Sequence, residues 1–162
     1  MAEPCYSAGA TGWDHAHWVG PFYPDALPAE WRLSYYAHFF GCVLVPAAIW
    51  RGSAAAAASW AADTPAGFRF LLQGGEGASE VAAALGERCA GILGAGGAPE
   101  GAPGTRVIWI DAFPDLRALA GQVRQPGAGA VLLIERRGDF GRLARAATLL
   151  AVMGLAADPG LV

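Results

Sequence analysis

Two histidines at alternate positions, His15 and His17, are the best candidates in this sequence for binding a metal ion. They follow Asp14, directly after the first predicted strand. An H-x-H pair at a strand end can place two imidazoles on one zinc ion, but the site then needs further ligands from later strands. Asp111 is the one carboxylate at another predicted strand end that suits this role. Because one carboxylate does not complete the ligand set, we predict ordinary loop histidines and no metal or other cofactor.

Aromatic and charged side chains near these histidines could form a pocket with them. A binding wall could be formed by Trp13, Trp18, Phe22 and Tyr23, although a core that anchors the loop is the favoured interpretation. Arg51 could bind an anion, and a structural ion pair with Asp14 is favoured. The full candidate pocket consists of Trp13, Asp14, His15, His17, Tyr23, Trp50, Arg51, Gln73, Asp111, Arg136 and Arg137.

Motifs for nucleotide binding and nucleophilic catalysis are missing. The pair Arg136-Arg137 could hold a phosphate, but a solvated loop is favoured. Gly94–Gly97 does not have the spacing of a phosphate-binding loop followed by a helix, and no serine lies in a G-x-S-x-G context. The cysteines are Cys5, Cys42 and Cys89. Their odd number and the absence of a C-x-x-C motif predict buried, reduced thiols in a reducing compartment.

The composition excludes some classes of partner. The net charge is −3 and all 11 cationic side chains are arginines, which gives no basic stripe for nucleic acid. No apolar run reaches the roughly 18 residues of a membrane span, so we expect a cytoplasmic protein without a membrane partner. Hydrophobic residues make up 54% of the chain and charged residues 15%, which predicts an apolar surface and therefore a protein partner.

Hydrophobic runs and turn residues predict five strands, each followed by a helix. The predicted strands are Pro4–Ala10, Cys42–Val45, Phe68–Leu72, Arg106–Ile110 and Ala130–Ile134. The predicted helices are Ala29–Phe40, Ala54–Ala62 (capped by Ser53), Glu80–Leu93, Asp115–Arg124 and Phe140–Met153. This alternation indicates a parallel sheet of α/β class, either part of a (β/α) barrel or a doubly wound open sheet. We predict one domain over residues 1–162, with the Gly/Pro-rich segment Gly94–Gly104 as a linker.

Three segments resemble the YecE-like family, also called domain of unknown function 72. The family's opening motifs match Gly9–Trp13 and Trp18–Pro24, and its L-x-YYA-x-x-F signature matches Leu33–Phe40. Its W-x-x-x-TP-x-x-FRF signature matches Trp60–Phe70. The last two strand–helix units resemble the end of the family pattern more faintly, and matching Glu135-x-Arg137 to the family's mid-barrel E-x-R strand is the alternative.

The resemblance implies a truncated TIM-type barrel of five parallel βα units. The chain would keep the family's strands one, two, three, seven and eight, with a deletion of strands four to six at Gly94–Gly104. An ordinary barrel of this type needs about 250 residues, so 162 residues fall short. An opened barrel exposes two sheet edges and an apolar inner face. We therefore expect a homodimer, or a partner chain that completes the structure.

The resemblance also implies that polar positions at the barrel mouth have been lost. A carboxylate, an amide and a hydroxyl of the family pattern correspond here to Leu44, Pro46 and Ala48, and a lysine corresponds to Gln73. The predicted function is therefore a catalytically degenerate barrel protein that acts as a scaffold or interaction subunit. The alternative is a small-molecule hydrolase or isomerase with its site at the carboxyl ends of the strands, built from Asp14, His15, Arg51 and Asp111.

Overall fold

The computed structural model describes residues 5–51, 54–94, 99–100, 104–125 and 129–155. These residues form an α/β structure with seven strands and six α-helices. The strands are β1 (Cys5–Ala10), β2 (Cys42–Val45), β3 (Arg69–Gln73), β4 (Cys89–Leu93), β5 (Pro99–Glu100), β6 (Arg106–Trp109) and β7 (Ala130–Glu135). The helices are α1 (Arg32–Ala37), α2 (Ala47–Trp50), α3 (Ala54–Ala62), α4 (Ala78–Leu85), α5 (Leu116–Val123) and α6 (Phe140–Val152).

The strands form two sheets that meet at one seam. One sheet has the order β1-β7-β6, with all strands parallel. The other has the order β2-β3-β4-β5, in which β5 alone is antiparallel to its neighbour. Thr11 forms a parallel bridge with Leu44, and the Gly12 N–H donates to the Leu44 carbonyl at 2.7 Å. The end of β1 therefore lies beside β2, and the predicted parallel α/β arrangement is confirmed.

Close backbone approach at this seam explains why a glycine precedes the end of β1. A Cβ on Gly9 would lie 2.0 Å from the Cys42 carbonyl oxygen, which is a clash between main chains. Tyr36 joins the same two strands, because its hydroxyl accepts from the Ala10 N–H at 2.8 Å and donates to the Cys42 carbonyl at 2.7 Å. Complete burial raises the pKa of Tyr36 well above its ordinary value, so it stays a neutral donor.

The prediction of one helix from Glu80 to Leu93 was wrong. Helix α4 ends at Leu85, and Gly86 follows with a left-handed φ of +61°. Glycine adopts this conformation without strain and commonly ends helices. The apolar run Cys89–Leu93 then pairs in parallel with β3 as an additional strand, β4. The described residues therefore contain six parallel strands, three in each sheet, whereas five were predicted.

Other predicted elements differ less. The helix predicted from Ala29 to Phe40 is a 3-10 turn, Ala29–Trp31, followed by the short α1. Within the predicted linker, Pro99 and Glu100 form β5, while residues 95–98 and 101–103 lie outside the described part of the chain. The linker and its internal deletion stay predictions. The N-cap predicted at Ser53 also lies outside the described residues.

The two faces of the sheets bury different side chains. One face packs against the helices, with Tyr36, Phe70 and Leu133 fully buried there. The other face forms an inner cluster of Cys42, Leu44, Leu71, Ala90, Leu93, Leu132 and Ile134. Every member of this cluster is at most 7% exposed. Among the described residues, all members of this cluster come from strands and none from a helix.

The inner cluster draws on strands of both sheets. Val107 and Trp109 of β6 pack against it, and the Thr105 hydroxyl donates to the Ala90 carbonyl of β4 at 3.2 Å. The inner face that an opened barrel would expose is thus covered by this chain's own strands. Hydrogen-bonded strand pairing among the described residues does not close into a barrel.

Candidate functional site

A large cleft lies at the carboxyl ends of the parallel strands. Its volume is about 820 Å³, within the range of about 300–1,000 Å³ that is usual for small-molecule sites. It is lined by Thr11, Leu44, Gln73, Gly74, Gly75, Ala78, Ser79, Ile92, Leu93, Gly94, Trp109 and Arg136. The strand ends of both sheets therefore contribute to one cavity, as expected for parallel α/β proteins.

Gln73 forms part of the wall and joins β3 to α2. Its side-chain carbonyl accepts from the Ala47 N–H at 2.7 Å, and its backbone carbonyl accepts from the Trp50 indole N–H at 2.9 Å. Trp50 is fully buried. The Gln73 amide oxygen is therefore already used to fix the loop after β2, which leaves its NH₂ group for a ligand.

Arg136 is the cation on the opposite wall. Its Nε and Nη2 donate to the two carboxylate oxygens of Asp111 at 3.0 and 2.9 Å. Arg137 adds a longer ion pair to Asp111 at 3.7 Å. The Arg136 guanidinium also lies 4.5 Å from the centre of the Trp109 ring, a cation–π distance. The hydrogen bonds from Arg136, together with the charge of both arginines, lower the pKa of Asp111.

Glu135, at the end of β7, is a fully buried carboxylate that the sequence reasoning did not select. Its two oxygens accept from the Arg137 N–H at 3.0 Å, and one of them also accepts from the Asp139 N–H at 2.8 Å. These hydrogen bonds to the carboxylate fix the conformation of the loop from β7 to α6. Asp139 then caps α6 by accepting from the Arg142 N–H.

The two histidines lie on the loop after β1, and each ring is held by a backbone carbonyl. His15 Nε2 lies 2.9 Å from the Thr11 carbonyl, and His17 Nε2 lies 2.7 Å from the Gly138 carbonyl. A carbonyl oxygen only accepts, so both Nε2 atoms must be donors and neither can bind a metal in this arrangement. No group of three or more metal-ligating side chains occurs in the described part of the chain.

Asp14 pairs with Arg32, so the predicted Asp14–Arg51 ion pair was wrong. Arg32 also lies over the Tyr23 ring, at 5.5 Å. Arg51 is exposed and has no ion pair among the described residues. Its Nη2 lies 3.9 Å from the point that a Cβ on Gly75 would occupy, which places it near the rim of the cleft.

Trp13 and Tyr23 belong to the buried core and do not form a binding wall. The Tyr23 hydroxyl donates to the Trp13 carbonyl, and the Trp13 ring packs edge-on against Trp60 at 5.4 Å. Trp18 is also fully buried and donates from its indole N–H to the Gly138 carbonyl at 2.9 Å. Aromatic residues of the β1 loop thus fasten that loop to the loop after β7.

Of the predicted site residues, Gln73 and Arg136 line the cleft. Asp111 and Arg137 do not line it, but Asp111 forms ion pairs with Arg136 and Arg137. The other predicted residues that do not line it are Trp13, Asp14, His15, His17, Tyr23, Trp50 and Arg51. The sequence reasoning missed Thr11, Ser79, Ile92 and Trp109. Ile92 was missed because its segment was predicted as helix, and Gly86 was the available signal that the helix ends earlier.

The comparisons with known proteins agree with the resemblance in the first half of the chain. Residues 7–86 match the family model described as "Protein of unknown function DUF72". Residues 7–86 are thus similar to the DUF72 family. The DUF72 match begins within β1 and ends at Gly86, after α4. It therefore contains Thr11, Leu44 and the Gln73–Ser79 wall of the cleft, whereas Ile92, Trp109 and Arg136 lie beyond it.

The DUF72 assignment brings no activity with it, since the family description names none. No curated protein and no solved structure matches this chain. Within the described residues, no helix combines the length and apolar character needed to cross a membrane.

Proposed function

We propose that this chain is a catalytically degenerate DUF72 protein that binds a ligand or partner without turning over a substrate. The observation that carries the proposal is the state of two carboxylates at the carboxyl ends of the strands, Asp111 after β6 and Glu135 at the end of β7. Asp111 forms ion pairs with two arginines, and Glu135 is buried and accepts hydrogen bonds from two backbone N–H groups, those of Arg137 and Asp139. General acid–base catalysis needs a group that can exchange a proton with a substrate.

Asp111 is poorly suited to that task. Its lowered pKa keeps it ionised, so it is a weak base and cannot serve as an acid near neutral pH. Leu44 supports the same conclusion. It lines the cleft at the position where the resembling family pattern has a carboxylate, and here it is an apolar, 7% exposed side chain.

The test is a turnover screen with chromogenic carboxylic esters, phosphate esters and glycosides. The purified unaltered chain and the variant Asp111→Asn are assayed in parallel. We expect both proteins to match the rate of buffer alone. Asp25→Asn is the control for the change in charge, because Asp25 is exposed and has no ion pair among the described residues. Turnover that is lost in Asp111→Asn and kept in Asp25→Asn would overturn the proposal.

That outcome would favour the alternative, a small-molecule hydrolase or isomerase, in its hydrolase form. The size of the cleft and the presence of Arg136 on its wall favour this second candidate. The site would be built around Asp111 and Arg136, because Asp14 is paired with Arg32 and His15 is held by the Thr11 carbonyl. Metal analysis of the purified protein would separate a metal-assisted form of this activity from an unassisted one.

A truncated TIM-type barrel is part of the proposal. Side chains of the described helices pack on one face of the strands, while the inner cluster on the other face is built from strands alone. A doubly wound sheet would carry helices on both faces. The strand order β6-β7-β1-β2-β3-β4 follows the circular order of a barrel from which strands have been removed.

Self-association is also part of the proposal, although its physical basis differs from the one predicted. The inner cluster is filled, but large apolar side chains are exposed on the helices. Leu116 is 41% exposed and Val152 is 79% exposed, and with Leu149 they line an apolar groove of about 380 Å³ between α5 and α6. Sedimentation velocity over a hundredfold concentration range tests this. We expect a dimer that Val152→Asp weakens, and a monomer at all concentrations would contradict it.

We place the chain in a reducing compartment such as the cytoplasm. All three cysteines are free. Cys42 is buried as predicted, and burial raises the pKa of its thiol to about 12, whereas Cys5 is exposed, contrary to the prediction. An exposed free thiol persists best where glutathione keeps cysteines reduced.

A further inference from the structure

A second cavity lies between α1 and the turn that follows α3. Its volume is about 400 Å³, and it shares no lining residue with the cleft. The residues that matter here are Leu27, Glu30, Trp31, Tyr35 and Asp63, and we call this cavity the α1 pocket. The volume is within the range of about 300–1,000 Å³ that is usual for small-molecule sites.

Two aromatic rings form the walls of the α1 pocket. Trp31 is 61% exposed, and its ring makes no aromatic contact among the described residues. Tyr35 is partly buried and is held by Phe22 and Phe39, with ring centres 5.1 and 5.2 Å away. The pocket thus has one fixed ring and one ring whose face is open to a ligand.

Two carboxylates accompany these rings. Glu30 and Asp63 are both exposed, and none of the ion pairs among the described residues includes either of them. Arg32, the arginine nearest to Glu30 in sequence, pairs with Asp14 instead. His38 is the other titratable residue that lines the pocket. The pocket therefore combines aromatic faces with negative charge that no arginine neutralises.

We propose that the α1 pocket binds an organic ammonium ion. The face of an indole or phenol ring attracts cations, and a carboxylate within several ångströms adds Coulombic attraction. An alkylated ammonium group is weakly hydrated, so it loses little hydration when it enters a pocket with an apolar side such as Leu27. The same carboxylates repel anions, and a neutral molecule of equal shape receives only the apolar contact.

Choline and its uncharged isostere 3,3-dimethylbutan-1-ol are the probes for this site. Binding is followed in ¹H–¹⁵N NMR spectra through the Trp31 indole signal, which is assigned by its loss in Trp31→Leu. We expect choline to shift this signal with millimolar affinity, and the isostere to bind about tenfold more weakly or not at all. Sodium chloride at equal concentration is the control for ionic strength.

The variant Glu30→Gln with Asp63→Asn should weaken choline binding by about tenfold, since it removes both charges and keeps the rings. The exposed Glu87, remote from the pocket lining, supplies the matched control Glu87→Gln. Both variants alter surface residues, and unchanged indole signals of the other tryptophans verify their folds. The proposal would be overturned if choline and the isostere bound equally, or if the shifts were confined to other tryptophans. It would also be overturned by no binding up to 50 mM choline, which is about the weakest affinity that the method detects.

Discussion

The Arg136 guanidinium donates two hydrogen bonds to the Asp111 carboxylate, at 3.0 and 2.9 Å. Asp111 lies in the 3-10 turn that follows β6, and the same guanidinium lies against the ring of Trp109, the last residue of β6. The charge that could orient a substrate and the carboxylate that could exchange a proton therefore neutralise each other. This pairing is the reason for proposing a binding site rather than an acid–base site.

The pairing predicts how stability depends on pH. The pKa of Asp111 is lowered in the folded chain, so its contribution is fully present above the unfolded pKa of about 3.9 and is lost as the pH falls through the folded value. Asp111→Asn should lower the free energy of unfolding by less than about 1 kcal/mol at pH 7, because the Arg136 side chain is 43% exposed. The difference from the unaltered chain should shrink below about pH 4. Urea unfolding at pH 7 and pH 3 measures both values, and a difference that grows at pH 3 would contradict the assignment.

The seam between the two sheets predicts the most sensitive glycine. Gly9→Ala places a Cβ 2.0 Å from the Cys42 carbonyl, and neither backbone can move without breaking strand pairing. We expect a loss of at least about 2 kcal/mol, or failure to fold. Gly121→Ala is the matched control, because Gly121 lies inside α5 and a Cβ there would have no neighbour within 4 Å. That change should stabilise the chain by about 0.5–1 kcal/mol. Thermal unfolding of Gly9→Ala and Gly121→Ala measures both effects. Similar shifts in Tm for the two variants would show that the seam tolerates a side chain.

The elements that could be predicted from sequence are those in which local pattern and tertiary packing agree. Cys42–Val45 is buried on both faces and reads as a continuous apolar run, so its bounds were predicted without error. Asp115 and Asp139 each cap the helix that follows them. The segment Cys89–Leu93 is ambiguous from sequence, since a short apolar run suits a buried strand or the end of a helix. Its pairing with β3 decides the matter, and that is a long-range contact.

The site was harder to predict because its residues are brought together by the seam. Thr11, Leu44 and Arg136 lie far apart in the sequence, and none belongs to a motif with a chemical signature. The density of aromatic residues near His15 suggests a binding wall, but Trp18 and Tyr23 are fully buried in the core. The family resemblance identified the loop but not the direction in which its side chains point.

The two buried hydrogen bonds of the Tyr36 hydroxyl predict that its removal lowers the free energy of unfolding substantially. Tyr36→Phe removes the acceptor of the Ala10 N–H and the donor to the Cys42 carbonyl, both of which are buried. We expect a loss of about 1–3 kcal/mol in the free energy of unfolding. Tyr35→Phe is the control, since the neighbouring ring is partly buried and its hydroxyl has no hydrogen bond in the described part of the chain; this change should cost less than about 0.5 kcal/mol. Equal effects of the two substitutions would mean that the hydroxyl of Tyr36 does not hold the seam.

The hydrogen bonds of Glu135 predict that the conformation of the loop between β7 and α6 depends on this buried carboxylate. In Glu135→Gln one oxygen becomes an NH₂ group, which cannot accept from the Arg137 N–H and faces another donor in a fully buried position. The expected loss is about 1–3 kcal/mol, and the amides of Arg137 and Asp139 should exchange their hydrogens faster. Asp139→Ala is the comparison for the same loop, because it removes only the α6 cap, at a cost of about 0.5–2 kcal/mol. Hydrogen exchange separates the two, since the cap variant should leave the Arg137 amide protected. If Glu135→Gln kept full stability and full protection at Arg137, the buried carboxylate would not be the anchor of this loop, and a proton-exchanging role for Glu135 would have to be reconsidered.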